Sequence, residues 1–104
     1  MIVNLTPHTI NLFNADKEHV MDVAPSGTIA RVATSRAMVG EAAGVPLFRT
    51  DYGALDGLPA PQPDTIYVVS GLVRAACQRP DLYQPGELIR NEAGQPIGCV
   101  GLSQ

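Results

Sequence analysis

The feature that most constrains this chain is an apolar run that passes abruptly into a helix, Asp64-Thr65-Ile66-Tyr67-Val68-Val69-Ser70-Gly71-Leu72-Val73-Arg74-Ala75-Ala76-Cys77. Ile66 to Val69 has the β-branched and aromatic content of a strand, and Ser70 stands where a helix N-cap belongs. The spacing predicts one short helix near residues 70–78, with Arg74 in its second turn. Helical signal elsewhere is weak: Ser35 would cap a segment through Met38 and Glu41, but Gly40 and Gly44 sit badly inside a helix. A helix start that offers free N–H groups, a hydroxyl and a nearby guanidinium is also a natural anion site. Cap and anion contact are therefore both open readings of Ser70.

The rest of the chain reads as short strands and turns. Met1–Leu5 and Thr9–Phe13 are strand candidates broken by Thr6-Pro7-His8, where Pro7 cannot donate to a ladder. His19–Val23 follows a turn at Asn14-Ala15-Asp16-Lys17. Thr28–Ala33 follows a turn at Ala24-Pro25-Ser26-Gly27. Residues 34–49 read as a hairpin turned at Gly44, with Val45–Arg49 returning. Tyr52–Asp64 is a stiff loop dense in Gly and Pro, Arg79–Gly86 is a second loop, and Glu87–Asn91 with Pro96–Leu102 forms a last hairpin. Ten glycines and nine prolines among short Val/Ile runs fit this pattern. The expected fold is mainly β (α+β), a small antiparallel β-sandwich or barrel-like domain spanning residues 1–104. Apolar residues are 45% of the chain, enough to fold, although much of that is Ala. Such a core is marginal for a monomer, and short strands leave edges to cover, so a homo-oligomer is expected.

Charge narrows the partners. The net charge is −3 and no block of Lys or Arg occurs, so no nucleic-acid polymer is expected as a partner. Six of the seven basic residues are Arg, with Lys17 the exception. Arg is the better bidentate partner for phosphate, although a GC-rich genome would enrich Arg, Ala and Pro together. Cys77 and Cys99 have no metal or redox spacing, and no h-region or run of about 18 apolar residues is present. A cytoplasmic protein with reduced thiols and no membrane partner is the expectation.

Catalytic constellations find little support. Ser70 lies in Val-Ser-Gly and lacks the nucleophile-elbow pattern. His8 and His19 are too isolated for a metal site, and Asp16, Glu18 and Asp22 read as a solvated hairpin. No phosphate-binding glycine loop is present, so no catalytic residue, metal or cofactor is assigned. Anion binding has better candidates: Arg31, Ser70, Arg74, Arg79 and Arg90. Arg74 shares a helical face with the cap. Arg79 also suits the helix C-terminus, and Arg31, on the strand face carrying Ile29, lies at a sheet rim or pairs with Asp51 or Glu87. His8 is read as a corner residue whose ring satisfies local backbone groups. Tyr52, Tyr67 and Tyr83 are read as packing residues, with Tyr52 and Tyr83 also placed to stack on a base.

The order Asn4-Leu5-Thr6-Pro7-His8, Pro25-Ser26-Gly27 with Ala30-Arg31, Gly57-Leu58-Pro59, Ile66-Tyr67-Val68-Val69-Ser70 and Gly94-Gln95-Pro96-Ile97-Gly98 resembles a group of small phage- and prophage-encoded proteins. The resemblance runs over nearly the whole chain. It implies a genomic setting, in which small accessory proteins bind host proteins, sequester nucleotide signals or decorate virions. It transfers no site residue. The expected function is a phage accessory protein that acts in the host cytoplasm, in counter-defence, by sequestering a small phosphorylated ligand. The alternatives are an inhibitor that contacts a host defence enzyme and a small enzyme acting on nucleotides.

Overall fold

The computed structural model describes residues 1–104. Its strands are β1 (Ile2–Asn4), β2 (Ile10–Phe13), β3 (His19–Val23), β4 (Arg31–Ala42), β5 (Val45–Asp56), β6 (Ile66–Val68), β7 (Leu82–Arg90) and β8 (Pro96–Ser103). The one helix, α1 (Gly71–Ala76), lies between β6 and β7. The fold is thus mainly β with one short helix, as the sequence leads one to expect. Six strands form a sheet in the order β1-β6-β7-β8-β2-β3, and β4 and β5 form a second sheet of their own.

The six-stranded sheet rolls into a nearly closed barrel, and Asn4 joins its two ends. Past β3, Pro25 bridges to Asn4, and the Ser26 N–H donates to the Asn4 carbonyl at 3.0 Å. The Asn4 side chain does more. Its Nδ2 donates to the His8 carbonyl (2.7 Å) and the Val23 carbonyl (3.0 Å), while its Oδ1 accepts from the Thr6 N–H (2.9 Å) and hydroxyl (2.6 Å). Asn4 is the only buried polar residue, 1% exposed, and its carboxamide is fully satisfied. The corner at Thr6-Pro7-His8 is therefore held by Asn4 and Thr6. His8 contributes its carbonyl rather than its ring, which differs from the sequence reading.

The pairing differs from a purely antiparallel sheet. β1–β6, β6–β7 and β2–β8 are parallel, whereas β2–β3 and β7–β8 are antiparallel. The cause lies in β6, which is buried on both faces. Val68 packs with Ile10, Leu12 and Cys99 in one cluster, while Tyr67 and Val69 pack with Leu5, Ala30, Val73 and Leu82 in the other. A strand covered on both sides reads as an unbroken apolar run and belongs inside a parallel array. α1 is the crossover that parallel β6 and β7 require. Ser70 caps it, its hydroxyl accepting from the Val73 N–H at 3.2 Å.

Three boundaries shift relative to the sequence reading. β4 begins at Arg31, so Thr28–Ala30 of the expected strand Thr28–Ala33 lie outside it, and it runs on unbroken to Ala42. β4 and β5 are 12 residues each, so β5 takes in Tyr52–Asp56, which the sequence assigns to a loop. The hairpin turns at Ala43 and Gly44, both with positive φ (50° and 80°), as a two-residue turn demands. Gly53 and Ala54 stand opposite Ala33 in a bulge that lets pairing continue to Asp56. β7 begins at Leu82, ahead of Pro85. β6 pairs only with the start of β7, at Leu82 and Tyr83, so Pro85 lies beyond the reach of that ladder. No helix is long and apolar enough to cross a membrane.

Candidate functional site

Ser70 lies at the junction of two depressions. The larger, about 810 Å³, runs between the corner after β1, the start of α1, and the paired β7 and β8. Its walls are neutral: Pro7, Pro85, Leu88 and Ile97 supply apolar surface, and His8 and Ser70 supply polar groups. Leu88 and Ile97 are 50% and 42% exposed, so the groove presents apolar side chains to solvent. Gly98 forms part of the floor; a Cβ there would collide with the Phe13 ring and the Asn11 carbonyl. Asn11 Nδ2 donates to the Ile97 carbonyl at 3.0 Å and fixes β8 beside the corner.

The smaller depression, about 300 Å³, lies where the start of β4 meets α1. Ala30, Arg31 and Val32 line it on one side and Ser70, Leu72 and Val73 on the other. Ser70 is the one residue common to both. Arg31 is exposed and forms no ion pair. Asp51, one carboxylate the sequence places beside it, is held by Arg49 (Nε to Oδ1 3.0 Å).

The five sequence candidates therefore separate. Arg31 and Ser70 meet at the smaller depression. Arg74 follows one turn after Ser70 but lines neither depression; its Nε is buried without a hydrogen-bond partner. Arg79 is committed to structure: Nε and Nη2 grip Asp81 at 2.9 and 2.6 Å, and Nη1 donates to the Pro59 carbonyl at 2.9 Å. This bidentate bond holds the Asp81 carboxyl below its ordinary range and raises the Arg79 guanidinium. Together with the Tyr67 hydroxyl, which donates to the Ala60 carbonyl at 3.2 Å, it pins the Pro-rich segment after β5. Arg90 donates to the Gly94 carbonyl at 2.8 Å and closes the β7–β8 turn.

Sequence reasoning missed the larger groove. Its walls come from three distant segments, which meet only because β2 pairs with β8 and β8 with β7. The one local sign was that apolar Leu88 and Ile97 each lie close in sequence to a proline, Pro85 and Pro96.

Comparison with protein-family models, curated proteins and solved structures finds no match for this chain.

Proposed function

We propose that this is an accessory binding protein of the phage or prophage type that captures a small phosphorylated ligand in the host cytoplasm, with sequestration in counter-defence as its role. The ligand's ring lies in the neutral groove, and its phosphate passes Ser70 toward Arg31. The observation that carries this reading is the position of Ser70, shared by a neutral groove of about 810 Å³ and a depression of about 300 Å³ that holds Arg31. Ligand sites are commonly concave and mostly apolar, with a few placed polar groups, and the groove matches that description in size and lining. Pro85, Leu88 and Ile97 give a planar ring apolar contact. The Ser70 hydroxyl accepts from Val73 N–H and keeps its own hydrogen to donate. The Arg31 guanidinium forms no ion pair, Asp56 standing opposite it in the β4–β5 ladder without bonding to it, and is available for a charge-assisted bond to phosphate.

Capture alone requires no bond to break, so the ligand is released intact on denaturation. A panel of nucleosides and nucleoside phosphates, read by thermal unfolding and followed by mass spectrometry of the released ligand, tests this. At a hundredfold excess over Kd a bound ligand adds about 2.7 kcal/mol, a rise in Tm on the order of 10 °C for a chain of this size. A rise with a phosphate that exceeds the rise with its nucleoside, and that falls to the nucleoside's level in Arg31→Ala, is the expected outcome. No shift across the panel refutes capture, and recovery of a converted product makes the protein an enzyme instead.

A further inference from the structure

The β4–β5 hairpin is the least covered part of the molecule. It forms a separate two-stranded sheet, tied to the body mainly where α1 meets β4. At its base Val32 packs on the core. The same face continues outward through the cross-strand pairs Thr34–Tyr52, Arg36–Thr50, Met38–Phe48 and, past the bulge at Val39, Glu41–Pro46. Tyr52, Met38 and Phe48 are 46%, 59% and 48% exposed. A two-stranded hairpin is marginally stable in water without a partner for its apolar face, and an exposed apolar stripe of this kind marks an interaction surface.

We propose that this face is an interface between two copies of the chain, the hairpins packing antiparallel about a two-fold axis near Met38 and Phe48. Charge selects the second copy as the occupant. Residues 31–56 carry three basic groups (Arg31, Arg36, Arg49) and three acidic ones (Glu41, Asp51, Asp56), so the hairpin is neutral in a chain of net charge −3. Two copies therefore meet there without the repulsion their remaining surfaces carry. The arrangement is also self-complementary. On the packing face Arg36 lies on one side of the Met38–Phe48 pair and Glu41 on the other. A two-fold rotation sets each Arg36 against Glu41 of the second copy, as an isologous interface requires. The Arg36 guanidinium already stands over the Phe48 ring, 4.1 Å from its centroid, at the apolar centre. Within one chain the two charges lie along the same strand, about 13 Å or more apart, and neither forms an ion pair. Each strand is about 40 Å long and the hairpin about 10 Å wide, which places the interface among the smaller, weaker ones.

This proposal is independent of the ligand reading, and sedimentation equilibrium with charge-reversed chains tests it. Wild type is expected to dimerise weakly, with dimer present by about 100 μM. Arg36→Glu and Glu41→Arg each place like charges together twice per dimer and should weaken it about tenfold or more. An equimolar mixture of the two variants restores opposite charges at both contacts and should return to the wild-type constant. Phe48→Asp, checked for unchanged circular dichroism, should be monomeric alone and in mixtures. Wild type that stays monomeric at about 100 μM overturns the proposal. So do variants that fail to rescue each other when mixed, or a foreign protein that occupies the face of a monomer.

Discussion

Replacing Asn4 by Ala should come close to opening the barrel. The carboxamide makes four hydrogen bonds from a position 1% exposed, and they tie β1 to the corner and to the end of β3. Truncation leaves the His8 and Val23 carbonyls and the Thr6 N–H without that partner. At about 1 kcal/mol or more for each stranded group, the loss is about 3 kcal/mol, a large share of a stability expected at about 5–15 kcal/mol. For a domain of this size that lowers Tm by roughly 12–24 °C. Thermal unfolding followed by circular dichroism, with urea titration for the free energy, measures it. Thr6→Val removes the hydroxyl's bonds to Asn4 Oδ1 (2.6 Å) and the His8 carbonyl (3.2 Å), leaves the Thr6 N–H in place, and should cost about 1 kcal/mol. Asn4→Asp turns an oxygen toward two carbonyl oxygens, which favours the protonated acid and raises its folded pKa. That variant is then most stable below the unfolded carboxyl value of about 4 and loses stability as pH rises. If Asn4→Ala unfolds within about 4 °C of wild type, the closure does not rest on this residue.

Asp81→Asn breaks the grip on Arg79 and should cost about 1–3 kcal/mol, measured by urea unfolding at neutral pH. Because the Asp81 carboxyl is held below its ordinary range, its contribution is present above about pH 4 and disappears as pH falls through the lowered value. The variant should therefore lose less stability on acidification than wild type. Gly57→Ala forces a Cβ into the Ile29 carbonyl at a positive φ and should cost about 2 kcal/mol or more, whereas Gly27→Ala, with positive φ but open space, should cost about 1 kcal/mol. Comparable Tm values for the two would remove the packing argument. The Arg36→Glu and Glu41→Arg chains should each dimerise about tenfold more weakly than wild type, and with the wild-type constant when mixed.

Turns were the most legible part of the fold because their chemistry is local. Asn14, in the turn assigned to Asn14–Lys17, receives two backbone N–H groups, and Gly27 and Gly44, each assigned to a turn, have positive φ. Ser70 was legible as a cap for the same reason. Pairing partners were less so, although the unbroken run Ile66–Val69 carried a sign of a strand buried on both faces. The end of β5 was hidden by Gly53 and Gly57, since a bulge and a tight reversal use the residues that a loop uses. Pro85 concealed the start of β7 in the same way. Among the arginines, Arg79 has Asp81 only two residues away, but only the folded chain brings the Pro59 carbonyl to the same guanidinium. The groove was illegible because no single segment contains it.

The proposed capture stands or falls on whether Arg31 reads the phosphate of a ligand whose ring lies in the neutral groove. Isothermal titration of a nucleoside and its phosphate against wild type and Arg31→Ala addresses this directly. Wild type is expected to bind the phosphate about tenfold or more tightly than the nucleoside, the contribution of a hydrogen bond to a charged group, and Arg31→Ala is expected to bind both alike. Equal binding of the two by wild type, or a preference for phosphate that survives Arg31→Ala, would contradict it.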